Sequence, residues 1–159
     1  MGDAEGRLLV PYYCENSQTV KIIYNTEMKF KGEKMMTIVC VDDYSIALDG
    51  LAQSIKSILP DARIFTFKTV DEALGFVKDN GCDVLITEIE MDGIGGVILA
   101  RNVQKQNPNV NIIFLTVCDA KEHAREVFNI RPSGYLLKPA TKEQIEYELN
   151  HLRYSTCAI

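Results

Sequence analysis

Acidic residues follow a short apolar run near the middle of the chain. The stretch Cys82 to Gly93, CDVLITEIEMDG, predicts a buried strand that ends in carboxylates at Glu88, Glu90 and Asp92. Carboxylate oxygens are hard ligands that Mg²⁺ accepts together with waters and phosphate oxygens. A central carboxylate can also accept a phosphoryl group and form an acyl phosphate. The stretch therefore indicates a metal and phosphoryl site.

Polar residues also stand at the ends of other apolar runs. Asp42 and Asp43 follow TIVCV, Thr116 ends NIIFLT, and Lys138 follows SGYLL. Ligands of open parallel sheets bind outside the carboxyl ends of the strands, so we expect these side chains at one edge with Glu88. A hydroxyl and an ammonium opposite a metal can hold phosphoryl oxygens, because phosphoryl transfer depends on positioning and charge neutralisation.

A repeated unit of strand and helix would position these side chains. Apolar runs at 37–41, 62–67, 82–87, 111–116 and 133–137 predict five strands, and apolar residues after each run recur at helical spacing. Three helix starts carry capping pairs, which are Thr69 with Glu72, Asp119 with Glu122, and Thr141 with Gln144. The alternation and the short connections predict an α/β domain with a parallel sheet covered on both faces.

Composition limits the number of domains and the class of partner. A length of 159 residues suits one ordinary domain, and residues 35–159 carry 12 Lys and Arg against 17 Asp and Glu, which argues against a nucleic-acid surface. No apolar stretch approaches the ~20 residues of a membrane span, and the N-terminus lacks the pattern of a secretion signal. We expect a cytoplasmic protein without membrane contact.

The first 34 residues stand outside the repeated unit. They contain VKIIY at 20–24, which could form a strand, and FKGEK at 30–34, which could form a linker. Two interpretations remain open for residues 1–34: an extension without a core of its own, or an extra strand or interface element. We expect the main domain at 36–153 and a short C-terminal tail at 154–159.

Four motifs within residues 36–153 resemble the receiver domain of bacterial two-component response regulators. These are VDD at 41–43, DVLITEIEMDGIGG at 83–96, FLT at 114–116 and GYLLKP at 134–139, in the family's order and spacing. The resemblance implies a flavodoxin-like (βα)5 fold with strand order 2-1-3-4-5 and a signalling role that is not enzymatic. The stretch SGYLLKPATKEQIEYELNHLRY further resembles receivers that precede a DNA-binding domain of the LytTR or SARP-like kind. Either the chain is a stand-alone receiver or such a domain has been removed.

The resemblance also assigns site residues. It implies that Asp42 and Asp43 hold Mg²⁺, with Asp43 as the direct ligand, and that Glu88 and the main-chain carbonyl of Glu90 complete the metal site.

The remaining roles concern the phosphoryl group and its readout. Thr116 would be the switch hydroxyl, Tyr135 the aromatic side chain that reports the state of the site, and Lys138 the phosphate-binding cation. Glu88 stands at the phosphoacceptor position.

Two residues depart from the family pattern. The family has Asp where this chain has Glu88, and Asp92 replaces the proline of the usual acid-x-x-Met-Pro-Gly loop. One extra methylene moves the carboxylate by roughly 1.5 Å, and a misplacement of ~1 Å can cost ~10²-fold in rate. Three interpretations stay open: Glu88 imitates a phosphoryl group near Lys138 and Thr116, the site is inactive and serves partner binding, or Glu88 accepts phosphate slowly.

The expected partners also follow from the resemblance. They are a sensor histidine kinase or another signalling protein, and a second copy bound through the fourth helix, fifth strand and fifth helix, about residues 120–152. Two other classes remain open, a Mg²⁺-dependent phosphotransfer or phosphatase-like enzyme and a partner-binding domain that has lost its chemistry. Against the enzyme, the chain has no insertion between the first and third strands long enough to cover a substrate.

Overall fold

Strands and helices alternate along the whole described part of the chain. The structure is a computed structural model that describes residues 35–117 and 123–156. Its strands are β1 Thr37–Val41, β2 Arg63–Phe67, β3 Val84–Thr87, β4 Asn111–Thr116 and β5 Gly134–Leu137. Its helices are α1 Ser45–Ile58, α2 Val70–Asn80, α3 Gly95–Gln106, α4 Ala124–Ile130 and α5 Lys142–Asn150. The predicted fivefold repeat of strand and helix is confirmed.

The strands form one parallel sheet in the order β2-β1-β3-β4-β5, as the resemblance implied. The register aligns the carboxyl ends of the central strands, because Val41 pairs with Thr87. Asp42 and Glu88 therefore leave neighbouring strands at the same level. This alignment is what allows residues from distant parts of the sequence to form one site.

Apolar side chains fill both faces of the sheet. Ile38 and Val39 are both fully buried, but they belong to separate core clusters, because successive strand residues point to opposite faces. One cluster contains residues of α1 and α5, and the other contains residues of α2, α3 and α4. Burial of each of these Ile, Leu or Val side chains favours folding by about 1.5 to 3 kcal/mol relative to an exposed side chain. The two clusters confirm the prediction of a sheet covered on both faces.

Three strands begin one or two residues later than the apolar runs predict. The largest difference is at β3, where the predicted strand starts at Cys82 and the observed one at Val84. The carboxylate of Asp83 accepts a hydrogen bond from the Thr37 main-chain N–H at 2.8 Å. The Asp83 side chain thus takes the place of a main-chain carbonyl as the partner of the Thr37 N–H. Regular pairing between β1 and β3 starts at the next residues, Ile38 and Val84.

Capping residues set the starts of two helices as predicted. Thr141 Oγ1 accepts from the Gln144 N–H, and Gln144 Oε1 accepts from the Thr141 N–H, which completes a capping box at α5. Thr69 Oγ1 accepts from the Glu72 N–H at the start of α2. The predicted pair Asp119 and Glu122 lies outside the described residues, as do residues 1–34 and the last three of the predicted tail.

The loop between β3 and α3 approaches α3 closely enough to require glycine. The Gly96 N–H donates to the Ile89 carbonyl at 3.1 Å. A Cβ atom at Gly96 would lie 1.6 Å from the main-chain oxygen of Glu88, which is well inside contact distance. Gly96 therefore holds the main chain of Glu88 against the first turn of α3.

Candidate functional site

Lys138 joins two buried carboxylates at the carboxyl edge of the sheet. Its ammonium nitrogen lies 2.5 Å from Asp42 Oδ2 and 2.7 Å from Glu88 Oε2. The side chains of Asp42 and Glu88 are each 5% exposed, and that of Lys138 is 16% exposed. Charges so far removed from water interact more strongly than surface charges, and each needs a partner. The three side chains form one internal ion cluster, which we call the Lys138 cluster.

The second oxygen of each carboxylate in the Lys138 cluster accepts a main-chain hydrogen bond. Glu88 Oε1 accepts from the Ile89 N–H at 2.8 Å, and Asp42 Oδ1 accepts from the Tyr44 N–H at 2.9 Å. Each carboxylate therefore has one bond to the ammonium and one to the backbone. These bonds offset the cost of removing the two anions from water.

The ammonium of Lys138 remains charged within this cluster. Burial by itself would lower the pKa of Lys138, but its bonds to Asp42 and Glu88 outweigh burial and raise that pKa above its usual value. Lys138 is consequently a cation at neutral pH.

Thr116 and Tyr135 lie on the strands beside the cluster. Thr116 is fully buried at the end of β4, and its carbonyl accepts the Lys138 N–H at 2.8 Å. This main-chain bond places Lys138 at the level of Thr116. Tyr135, in β5, is half-buried and packs against the core cluster that contains Phe114. The switch roles of Thr116 and Tyr135 stay predictions.

Asp43 and Glu90 are exposed and lie outside the Lys138 cluster. The Glu90 carboxylate reaches the start of α4, where its Oε1 lies 3.0 Å from His123 Nε2. The sequence around His123 suggests only a solvated helix residue. In the structure it precedes α4 and bonds to the β3–α3 loop, a contact for which neither residue's sequence neighbourhood carries a signal.

Mg²⁺ prefers carboxylate oxygens, and the Lys138 cluster contains two carboxylates. Asp42 and Glu88 are ligands of the right chemistry, but each already bonds to Lys138. In residues 35–117 and 123–156, no three His, Cys, Asp or Glu side chains are grouped closely enough to hold a metal. In this arrangement the Lys138 ammonium supplies the positive charge beside the two carboxylates. The metal roles of Asp42, Asp43, Glu88 and Glu90 stay predictions.

The loop after Glu88 turns through two residues with positive φ. Asp92 has a φ of 46° and Gly93 a φ of 87°. Proline is restricted to a φ near −65°, so the residue that the family usually has at position 92 could not adopt this backbone. Aspartate is among the residues that tolerate a left-handed conformation. With Asp92 in place of proline, the loop adopts a backbone conformation at position 92 that a proline could not adopt.

Exposed apolar side chains mark the face predicted to bind a second copy. They come from α4, β5 and α5, and they are Phe128, Leu137 and Tyr147, with exposed fractions of 78%, 53% and 59%. Residues 120–122, at the start of the predicted face, lie outside the described residues. Arg125 on α4 is exposed, and Glu126 is half-buried.

The chain is similar in sequence to several named bacterial proteins. A transcriptional regulatory protein of Escherichia coli strain K12, YpdB, is 30% identical over 117 residues, which is 74% of this chain and 47% of YpdB. Protein MrkE of Klebsiella pneumoniae is 30% identical over 149 residues, 94% of this chain and 53% of MrkE. The sensory transduction protein LytT of Bacillus subtilis strain 168 is 27% identical over 115 residues, 72% and 47% of the two chains. The chain spans about half the length of these curated relatives.

Solved structures share the fold. A receiver domain protein from Clostridium thermocellum superposes with a TM-score of 0.65 at 24% identity, covering 73% of this chain and 92% of that one. A CheY-like receiver from Methanospirillum hungatei JF-1 gives a TM-score of 0.67 at 19% identity, with 74% and 92% covered. None of the helices in the described ranges has the length and apolar character needed to cross a membrane.

The family model of the response regulator receiver domain matches residues 38–150. The match includes every member of the Lys138 cluster as well as Thr116 and Tyr135. The chain therefore belongs to the response regulator receiver domain family.

Proposed function

We propose that this chain is a receiver in which the carboxylate of Glu88 takes the place of a phosphoryl group, so that its signalling state does not depend on phosphorylation. One observation carries the proposal. Glu88 bonds to the Lys138 ammonium at 2.7 Å through Oε2 and to the Ile89 N–H at 2.8 Å through Oε1. A cation and a backbone N–H are the kinds of donor that stabilise phosphoryl oxygens.

The length of the glutamate side chain supports this reading of the Lys138 cluster. Glu88 extends about 1.5 Å further from the main chain than an aspartate would. The added reach brings negative charge toward Lys138, in the direction in which an acyl phosphate on a shorter side chain would also extend. A charged group at this position favours whichever arrangement of Lys138 and its neighbours accompanies phosphorylation in the family.

The same contacts make Glu88 a poor phosphoacceptor. A nucleophilic oxygen has to approach phosphorus in line with the leaving group. One carboxylate oxygen of Glu88 bonds to the Lys138 ammonium and the other accepts from the Ile89 N–H. The Glu88 side chain is also only 5% exposed. Attack would require the loss of one of these bonds. Slow acceptance of phosphate and a purely partner-binding role remain the alternatives that the experiment below distinguishes.

The wider role follows from the family and from the names of the relatives. The receiver exchanges signals with a sensor histidine kinase or another signalling protein in the cytoplasm and has no enzymatic activity of its own. It contributes to the regulation of transcription, which the name of the YpdB relative supports. It acts through an output domain or a partner protein.

The partners of this receiver include a second copy of the chain, which binds at the face formed by α4, β5 and α5. Phe128, Leu137 and Tyr147 expose apolar surface on α4, β5 and α5, and their burial in a dimer would be favourable. Sedimentation velocity tests this contact with Phe128→Ser. Ile98→Ser, at an exposed apolar position on α3, is the matched control. A dimer that Phe128→Ser leaves intact, or a chain that is monomeric at every concentration, would contradict the proposal.

The central experiment is incubation with acetyl phosphate and Mg²⁺ followed by intact mass measurement. We expect no added phosphate on the present chain and one added phosphate on Glu88→Asp, because the shorter carboxylate restores the family's acceptor geometry. Glu88→Gln is the control for phosphate attached elsewhere. A phosphate on the present chain that is absent in Glu88→Gln would show a slow acceptor and overturn the proposal.

The same variants separate phosphate mimicry from a site without signalling function. If Glu88 imitates a phosphoryl group, Glu88→Gln should change the chemical shifts of Thr116 and Tyr135, and phosphorylated Glu88→Asp should return them toward the present chain. Shifts that are the same in all three proteins would indicate a partner-binding domain without a switch.

A further inference from the structure

The chain that follows α5 is bound to the end of the sheet opposite the Lys138 cluster. Asn111, fully buried at the start of β4, donates through Nδ2 to the Tyr154 carbonyl at 2.9 Å. Its Oδ1 accepts from the Tyr154 N–H at 3.0 Å. One side chain therefore satisfies both main-chain groups of Tyr154, as a neighbouring strand would. The sequence alone indicated only a tail from residue 154 onward.

Asn111 also contacts the connection between α4 and β5, residues 131–133. The Ser133 hydroxyl donates to Asn111 Oδ1 at 2.9 Å, and the Ser133 N–H donates to the Ile112 carbonyl at 2.7 Å. The amide of Asn111 is thus shared between the α4–β5 connection and Tyr154. Loss of Tyr154 would take the 2.9 Å acceptor from the buried Nδ2 of Asn111, and loss of Ser133 would take one of the two donors to its Oδ1, so each loss has a cost.

Arg153 provides a second link between the same two segments. Its guanidinium donates from Nη1 to the Arg131 carbonyl at 2.7 Å and from Nη2 to the Pro132 carbonyl at 3.2 Å. These are the first carbonyls after α4. Arg131 has a φ of 53°, a left-handed conformation that residues other than glycine adopt at a cost. A charged donor on its carbonyl helps to hold that conformation.

We propose that residues 153–154, Asn111 and the α4–β5 connection act as one clamp that passes a displacement at the end of α4 to the chain after α5. The physical basis is the shared hydrogen bonding. Arg153, the residue before Tyr154, bonds to the α4–β5 connection, and Asn111 bonds both to that connection and to Tyr154. Neither segment can therefore move without loss of these bonds. The clamp does not involve Glu88, so it stands whether or not Glu88 replaces a phosphoryl group.

Hydrogen exchange of single amides in the full chain, followed by NMR, tests the clamp. Arg153→Ala removes two charge-assisted hydrogen bonds at an exposed position, and the fold should persist. We expect the Tyr154 and Ser133 amides to exchange about tenfold faster, while amides of β1 stay unchanged. Arg101→Ala, at an exposed arginine of α3, is the matched control and should leave the rates of both clamp amides as they are.

Ser133→Ala tests transmission, because Ser133 bonds to Asn111 Oδ1 but has no described bond to Tyr154. We expect exchange of the Tyr154 amide to rise about threefold in this variant. A Tyr154 amide that exchanges at the rate of an unstructured peptide would overturn the clamp. So would faster exchange at Tyr154 in Arg153→Ala without any change at Ser133. Neither result bears on the phosphorylation experiment, so the two proposals fail separately.

Discussion

The ammonium nitrogen of Lys138 lies 2.7 Å from Glu88 Oε2, and the Glu88 side chain is almost entirely buried. The same nitrogen bonds to Asp42, so one cation balances two anions. In this internal cluster each member is needed to offset the desolvation of the others. Removal of a single member should therefore have a larger effect than removal of a surface charge.

Replacement of Lys138 by methionine should strongly destabilise the protein. Lys138→Met keeps most of the side-chain volume but leaves the carboxylates of Asp42 and Glu88 without their cation. We expect the free energy of unfolding, measured in urea, to fall by about 3 kcal/mol. Lys78→Met, at an exposed lysine of α2, is the control and should change it by less than about 0.5 kcal/mol.

The double variant Lys138→Met with Glu88→Gln should lose less stability than the sum of the two single variants. The glutamine removes one of the two charges left without a partner, so the interaction between the sites should be about 1 kcal/mol or more. Strictly additive losses would show that the contact between Lys138 and Glu88 contributes nothing.

The Lys138 cluster also predicts a loss of stability at alkaline pH. Because Asp42 and Glu88 raise the pKa of Lys138 in the folded state, folding is favoured by proton binding at this site. The contribution is complete below the ordinary lysine pKa, roughly 10.4, and disappears as the pH rises through the raised folded-state pKa.

Urea midpoints compared between pH 8 and pH 11.5 measure this contribution. The present chain should lose more stability over the interval than Lys138→Met, which has no ammonium to titrate at this position. An equal alkaline decline in both proteins would show that other lysines and tyrosines account for it.

Divalent cations should increase the thermal stability of the Lys138→Met variant more than that of the present chain. With its ammonium removed, the oxygens of Asp42 and Glu88 become available for a hard cation, and binding to the folded state raises stability by mass action. We expect 10 mM Mg²⁺ to increase the melting temperature of Lys138→Met and to change that of the present chain less. A larger increase in the present chain would show that Mg²⁺ binds beside Lys138, as the family resemblance implied.

Gly96→Ala should disrupt the loop that carries Glu88. The added methyl group would lie 1.6 Å from the Glu88 carbonyl oxygen, and main chain on one side has to move. We expect a loss of about 3 kcal/mol in the free energy of unfolding. Gly75→Ala is the matched control, because a Cβ atom at this exposed position within α2 meets no atom within 4 Å.

The control should respond in the opposite direction. Alanine is favoured over glycine within a helix by about 0.5 to 1 kcal/mol, so Gly75→Ala should increase stability. Equal effects of the two substitutions in urea would contradict the close approach at Gly96.

Local patterns in the sequence were enough to predict the strands and helices of residues 35–117 and 123–156. TIVCV and NIIFLT coincide with β1 and β4, because a fully buried strand needs a continuous apolar run. The capping box of Thr141 and Gln144 was readable because both residues lie within one helical turn. Strand starts were less accurate where Asp83 replaced a main-chain partner.

The sequence also determined which polar residues meet at one edge of the sheet. In a parallel sheet every strand ends at the same edge, so the residues that follow the strands come together whatever their separation along the chain. That rule placed Asp42, Glu88, Thr116 and Lys138 correctly at the carboxyl ends of their strands. The same rule placed Asp43 there as well, but it could not show that this side chain faces solvent.

Only the tertiary structure decided which of these groups bond to one another. Lys138 pairs with Asp42 and Glu88, Glu90 pairs with His123, and Asn111 pairs with Tyr154. Each pair depends on side-chain reach, burial and backbone direction, and its members are far apart in sequence. Periodicity reports which face of an element is buried, since that depends on neighbours within a turn or two. It carries no information on which cation a buried carboxylate finds, because that choice is made by packing across the whole domain.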